Sequence, residues 1–255
     1  MTPLELLALI CFFVIVRVAL SFRPEPVATA TEPSATGSVA PRTSPSLRTV
    51  IREYLDAFIV AGLVALFLIT FVVRTFFIPS ESMVPTLMVH DVLLVNEFEY
   101  AFSAPHRGDI VVFPPPVIST NDFIKRVMGA PGDKLRVHAG IVYRNDVALT
   151  EPYIASAPMY ELEIKNYGIY VDGIALDPAA ANIPPKDKWT APDRIPDGCY
   201  YMMGDNRNNS EDSHVWGFSQ PKGTFVTGPR AGQKAGFTGH AFLLFWPLNR
   251  IRILK

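Results

Sequence analysis

Residues Asp122 to Asp133 read DFIKRVMGAPGD. As a strand over Phe123 to Met128, this stretch sends successive side chains to opposite faces. Lys125 then shares a face with Phe123 and Val127, while Arg126 points the other way. GAPGD closes the strand as a turn that any β protein could use. A lysine pressed among apolar neighbours loses the solvation of its ammonium, and its pKa falls. That is what a lysine general base working near neutral pH requires. The same residue also reads as a strand-edge lysine that snorkels its charge to water.

The pattern extends in both directions. Asp91 to Glu97, Asp109 to Phe113, Leu135 to Val137, Ile141 to Tyr143, Cys199 to Met203 and Ala241 to Trp246 are short apolar or alternating runs between Gly, Pro, Asn and Asp signals. Asn145-Asp146 in VYRNDVAL is a hairpin signal. With 23 prolines and 16 glycines and no useful helical periodicity after Ile78, residues 79–255 are expected to form a mainly β, antiparallel domain. Residues of about 150–196 are less regular and richer in Pro and Ala, and are expected as a smaller inserted subdomain or an extended flap.

The N-terminal third differs in kind. Leu6 to Val16 is free of charge, Arg17 interrupts, and apolar character resumes to Phe22. With Arg17 snorkelling, this is long enough to span a bilayer. A cleaved signal peptide is disfavoured, since Met1 to Glu5 lacks a basic residue. Ala57 to Val73, continued by Thr75 to Ile78, is a second run, apolar on all faces. The expected organisation is a first transmembrane helix over 1–23, a flexible linker over 24–53, a second transmembrane helix over 54–78 and the β domain. Arg17, Arg23, Arg42, Arg48 and Arg52 lie in or beside the linker, which places it in the cytoplasm and everything after Ile78 outside. The expected location is the inner (plasma) membrane, with the β domain extracytoplasmic.

Composition narrows the function. Hydrophobic residues are 49% of the 255 and charged residues 18%, with a net charge of −1, so the chain has no electrostatic footprint for nucleic acid. The five histidines show no metal-ligand spacing, and Cys11 and Cys199 have no CxxC partner. No metal and no cofactor are expected, and an intrachain disulfide is not suggested.

At the exit of the second run stands PSESMVPTL, Pro79 to Leu87. Ser82 in such a turn is either a solvated loop residue or a presented nucleophile, with Pro79 and Pro85 stiffening the turn. Further on, MGDNRNNSEDSHVWGF, Met203 to Phe218, is dense in groups that bond to backbone. It could also orient a buried amine. From these residues alone a Ser-Lys peptidase competes with a Ser-His-Asp hydrolase built on Ser82, His214 and Asp212. A non-catalytic, membrane-tethered β binding module is a third reading. A self-cleaving repressor is disfavoured, because apolar runs stand where a DNA-binding helix-turn-helix would be.

PSESMVPTL, RGDIVVF (107–113), IKRVMGAPGD (124–133) and MGDNRNNSEDS (203–213) occur in the order of the type I signal peptidase family, which the chain resembles throughout. IVYRNDVAL and the closing HAFLLFWPL belong to the same likeness. The resemblance implies a Ser-Lys dyad endopeptidase that removes signal peptides from exported preproteins, cutting after small residues in Ala-X-Ala sites. It implies Ser82 as nucleophile and Lys125 as general base. Ser80 and the Ser82 N–H would form the oxyanion hole, Ser210 would orient the lysine, and Asp212 would support that loop. Ile78, Met83 and Leu87 are candidates to wall the two small pockets. The expected partners are preproteins and the lipid bilayer, and the expected state is a monomer. The chain departs from the family at His214, where Arg is usual, and at Asn208, where Asp is frequent. Residues 219–238 are longer than the family's connection.

Overall fold

The computed structural model describes residues 3–21, 47–71 and 73–254. The expected linker falls largely outside the described residues. The N-terminal unit contains α1 (Pro3–Ser21) and α2 (Leu47–Phe71). The two helices pack together: Phe13 stacks on Phe58 at 5.9 Å, and Arg17 Nε donates to Asp56 Oδ1 at 2.7 Å. Gly62 permits the approach, since a Cβ there would come within 2.9 Å of Ile10. Phe12, Ile15, Phe58, Val60 and Phe67 remain exposed on the pair. Among the described residues, no helix is long and apolar enough to cross a membrane.

One expected boundary moves. α2 begins at Leu47, inside the expected linker, and ends before the expected close of the second anchor at Ile78. Val73–Phe77 is instead a strand, β1, paired antiparallel with β2 (Val92–Asn96). Its β-branched and aromatic residues suit a pleated, half-buried edge. Phe76 packs against the core that contains Ile78.

After β2 come a helical turn α3 (Glu99–Phe102), β3 (Ile110–Phe113) and β4 (Phe123–Gly129). Then follow β5 (Leu135–His138), β6 (Ile141–Arg144), β7 (Val147–Ala148), β8 (Leu162–Lys165), β9 (Gly168–Val171) and β10 (Ile174–Ala175). β11 (Tyr201–Met203), helical turn α4 (Ser213–Trp216), β12 (Gly239–Trp246) and β13 (Arg252–Ile253) complete the unit. One antiparallel sheet has the order β1-β2-β12-β3-β4-β11, with β13 beside β12; the other runs β10-β9-β8-β5-β6-β7. The mainly antiparallel β expectation therefore holds. The β6–β7 turn carries Asn145 and Asp146 at φ of 52° and 65°, as the hairpin signal required. Residues expected as an inserted subdomain supply β8, β9 and β10 to the second sheet, because Arg136 and Val137 of β5 pair with Glu163 and Leu162.

The first sheet is buried on both faces at its middle strands. Ile110 and Val112 of β3 join Ile78, Met83, Leu93 and Leu244 on one side; Val111 and Phe113 join Val127, Met202 and Trp216 on the other. β3 accordingly reads as the unbroken apolar run IVVF. β11 bridges two cores, since Met202 faces Trp216 while Tyr201 and Met203 join Leu135, Val142 and Ile164 of the second sheet.

Residues 219–238 fold back on themselves, with Phe225 N donating to Gln233 O at 3.0 Å and Gly232 N to Phe225 O at 2.9 Å. Asn182 anchors them: its Oδ1 accepts from Val226 N at 2.9 Å, while its Nδ2 donates to Phe218 O at 2.7 Å. Phe225 and Ala235 are buried by this docking.

Arg207 is wholly buried, and its guanidinium donates to Glu151 at 2.6 and 3.0 Å and to Gly204 O at 3.0 Å. Removing one partner of such a pair strands a buried charge. Glu151→Ala should therefore lower stability by roughly 3–5 kcal/mol, and the double change Glu151→Leu with Arg207→Met by clearly less. Chemical denaturation of the two variants beside the parent checks this.

Candidate active site

Ser82 lies on the turn between β1 and β2, and Lys125 in the middle of β4. Lys125 Nζ donates to Ser82 Oγ at 2.9 Å. Lys125 keeps the parity expected of the strand, with Nζ 5.4 Å from the Phe123 ring centre, and is 4% exposed. Burial pulls it from an ordinary value of 10.5 down to about 8, against the charges of Asp212, Glu211 and Asp205, which hold it up. A large fraction of a lysine with that value is the neutral amine at mildly alkaline pH.

The Ser82 turn is bolted to the 204–212 loop. Asn206 N donates to Ser82 O at 3.0 Å, and Asn206 Nδ2 to Glu81 O at 3.1 Å. Thr86 Oγ1 donates to Asp205 Oδ2 at 2.5 Å. Asp205 in turn receives both Nε and Nη2 of Arg126, at 2.8 and 2.7 Å. The residue after Lys125 on β4 thus holds the loop that holds the Ser82 turn. The approach is close: a Cβ on Gly204 would stand 2.4 Å from Ser82 O and 2.2 Å from Ser210 Oγ, so glycine is required there.

Ser80 Oγ is 3.4 Å from Ser82 Oγ and exposed. The Ser82 N–H donates to no backbone carbonyl among the described residues. Asp212 is fully buried; its Oδ2 accepts from Gly204 N at 3.0 Å, and its Oδ1 takes His214 Nδ1. It also caps α4 through His214 N at 3.4 Å. The His214 ring stacks on Tyr160 at 4.5 Å.

The Ser210 hydroxyl is buried against Gly204 with no hydrogen-bond partner among the described residues, and Ser210 lines the same cleft as Lys125. Its Cβ and Oγ are directed by the tight 204–210 loop, which sequence spacing does not reveal. One expectation is corrected: Leu87 does not face the cleft but is 0% exposed in the core beneath, because Leu87 N donates to Met83 O at 2.8 Å and the chain turns inward. Ile78 and Met83 do line the cleft beside Ser82 and Lys125.

The cleft is open, with a volume of about 1060 Å³. Its walls are Phe76 to Met83, residues 119–125, residues 208–211, His214 and Val215. The 119–122 wall and Tyr160 were not foreseen from the sequence, nor was Glu151 as the partner of Arg207. These are contacts between distant segments with no local motif. The Arg126 and Asp205 pairing had a faint signal, since both residues sit inside quoted motifs.

His214 and Asp212 make the orienting half of a Ser-His-Asp arrangement. Ser82 Oγ, however, is met by Lys125 and Ser80, and no hydrogen bond joins it to His214 among the described residues.

Residues 51–228 match the family model described as "Signal peptidase, peptidase S26". A probable signal peptidase I-1 of Synechocystis sp. is 38% identical over 213 residues, covering 81% of this chain and 88% of its own. A probable signal peptidase I-2 of the same organism is 37% identical, covering 77% and 73%. The signal peptidase I of Leptolyngbya laminosa is 34% identical, covering 86% and 95%. The chain belongs to the signal peptidase family, peptidase S26, and is an enzyme of the peptidase class.

Proposed function

We propose that this protein is a membrane-anchored serine endopeptidase that removes N-terminal signal peptides from exported preproteins by a Ser82-Lys125 dyad. The observation that carries the reading is the 2.9 Å contact between Lys125 Nζ and Ser82 Oγ, made by an amine shielded from water. The neutral amine takes the Ser82 proton as Oγ attacks the scissile carbonyl. The oxyanion that forms accepts hydrogen bonds from the Ser82 N–H and the Ser80 hydroxyl. The lysine ammonium then gives its proton to the departing amine, leaving an acyl-serine. The same lysine next takes a proton from water, which attacks the ester and releases Ser82.

Substrate is held as an extended strand, in which the residues one and three before the cut point the same way. Ile78 and Met83, buried beside the serine, wall the two pockets and favour small side chains of the Ala-X-Ala type. In this reading protein side chains alone carry the chemistry, and the chain works as a monomer.

Two anchors, with the peptidase unit outside the inner membrane, agree with the two apolar runs and the arginines between them. The large apolar side chains exposed on α1 and α2 support the same reading, because so many on one helix pair suit lipid better than water. Ser82 follows the second run closely in the chain. A nucleophile so placed meets a scissile bond that lies just beyond a membrane-inserted signal helix.

Three outcomes follow for purified, detergent-solubilised protein acting on a preprotein. Lys125→Ala should lose roughly 10²–10⁴ in rate, with Ser82→Ala at least as impaired. An active lysine variant would remove the dyad. Activity should also rise with pH through about 8, because only the neutral lysine accepts the serine proton and burial disfavours the ammonium. A pH–rate profile that peaked in acid would point to a carboxylate instead. Finally, Ser80→Ala should lower kcat by roughly 10²–10³ with little change in KM. An unchanged kcat on an Ala-X-Ala substrate would reduce Ser80 to a turn residue.

A further inference from the structure

Asp212 is a wholly buried carboxylate in the loop against Ser82 and Lys125, and first among the charges acting on Lys125. A buried carboxylate needs donors for both oxygens. Oδ2 has Gly204 N. The side-chain donor to Oδ1 is His214 Nδ1. Because a carboxylate only accepts, that nitrogen carries hydrogen. The imidazole is held in turn, since its plane lies 13° from that of Tyr160. It lines the same cleft as Ser82 and Lys125 without bonding to either among the described residues.

We infer that His214 is a positioning residue of the dyad: through its hydrogen bond to Asp212 it limits the negative field that this carboxylate presents to Lys125 Nζ. The inference rests on the Ser82-Lys125 reading and deepens it.

A hydrogen bond to a carboxylate draws charge toward the donor and weakens the field beyond it. Without the imidazole, Asp212 would act on Lys125 with more of its charge. That favours the ammonium, which cannot accept the Ser82 proton. The groups that face His214 are Asp212 and Glu211 on its own segment, Tyr160 from the segment before β8 and Lys125 from β4 across the cleft. Arg207 is committed to Glu151, so among the described residues it offers Asp212 no hydrogen bond in place of the imidazole. His214 is therefore neither the base nor a bystander.

The test compares pH profiles of kcat/KM, from about pH 6 to 10, for the parent, His214→Phe, His214→Asn and Lys125→Ala in detergent. The phenyl ring keeps the stack on Tyr160 but removes the donor. The asparagine amide can place an N–H near the former Nδ1. The phenylalanine variant should have its rising limb displaced upward by roughly half a pH unit or more. At neutral pH this is a loss of about three-fold or more, which should vanish in strongly alkaline buffer as Lys125 becomes neutral in both proteins. The asparagine variant should return the limb toward that of the parent. Thermal unfolding of each variant identifies any loss of fold. An equal loss at every pH, or an unmoved limb, would overturn the role of His214 while Lys125→Ala stayed inactive. An active Lys125→Ala would instead overturn the dyad. A phenylalanine variant too unstable to assay hands the decision to His214→Asn: a limb matching the parent's supports the donor role, and a displaced one overturns it.

Discussion

Burying the amine of Lys125 against the hydroxyl of Ser82 is the constraint on which the site depends. An ammonium removed from water is costly, and the protein meets that cost by making the neutral form accessible. The burial comes from the first sheet, which has a core on each face, so a side chain in the middle of β4 is largely enclosed and reaches only the floor of the cleft. Asp212, Glu211 and Asp205 keep the shift moderate. A lysine without them would be a weaker base, and a lysine closer to them would stay protonated.

Around that amine, each buried charge is tied to a counterpart that also does geometric work. Arg126 binds Asp205, which receives Thr86 from the serine's own turn. Arg207 binds Glu151 and so ties the same loop to the segment that follows β7. His214 binds Asp212. Such pairs contribute little as stability devices, but losing one partner is expensive, and this penalises alternative loop placements. The loop of residues 204–212 is thereby held in one arrangement against Ser82, as the proposed nucleophile, kept within hydrogen-bond reach of its proposed base, would require.

The departures from the family pattern have physical accounts. Asn208 uses both ends of its amide: Nδ2 donates to Ala157 O and Ser156 Oγ, each at 2.9 Å, and Oδ1 accepts from Met159 N at 2.8 Å. An ionised aspartate has no donor and could not satisfy the Ala157 carbonyl. His214 supplies the donor that Asp212 needs. Residues 219–238 close over Asn182 and bring Phe237 against Tyr100, Tyr200 and Phe113, so the added length covers core rather than cleft.

What was legible in the sequence was periodic or local. Alternation in FIKRVM told which face Lys125 shares, Asn-Asp marked the hairpin, and the apolar run IVVF marked a strand buried on both faces. Strand β1 was misread, because VRTFF continues an apolar run and only its partner β2 makes it a strand. The strands of the 150–196 segment were not legible either, since they exist through pairing with β5. The sequence by itself determined which residues are candidates for chemistry and that an antiparallel β unit follows the apolar runs. The tertiary structure decided that Leu87 turns inward, that the Ser210 hydroxyl is buried against Gly204, and that Arg126, Asp205, Arg207 and Glu151 hold the loop beside the cleft. Those outcomes depend on contacts between residues far apart in the chain, and burial and hydrogen-bond pairing over such distances leave no periodic trace.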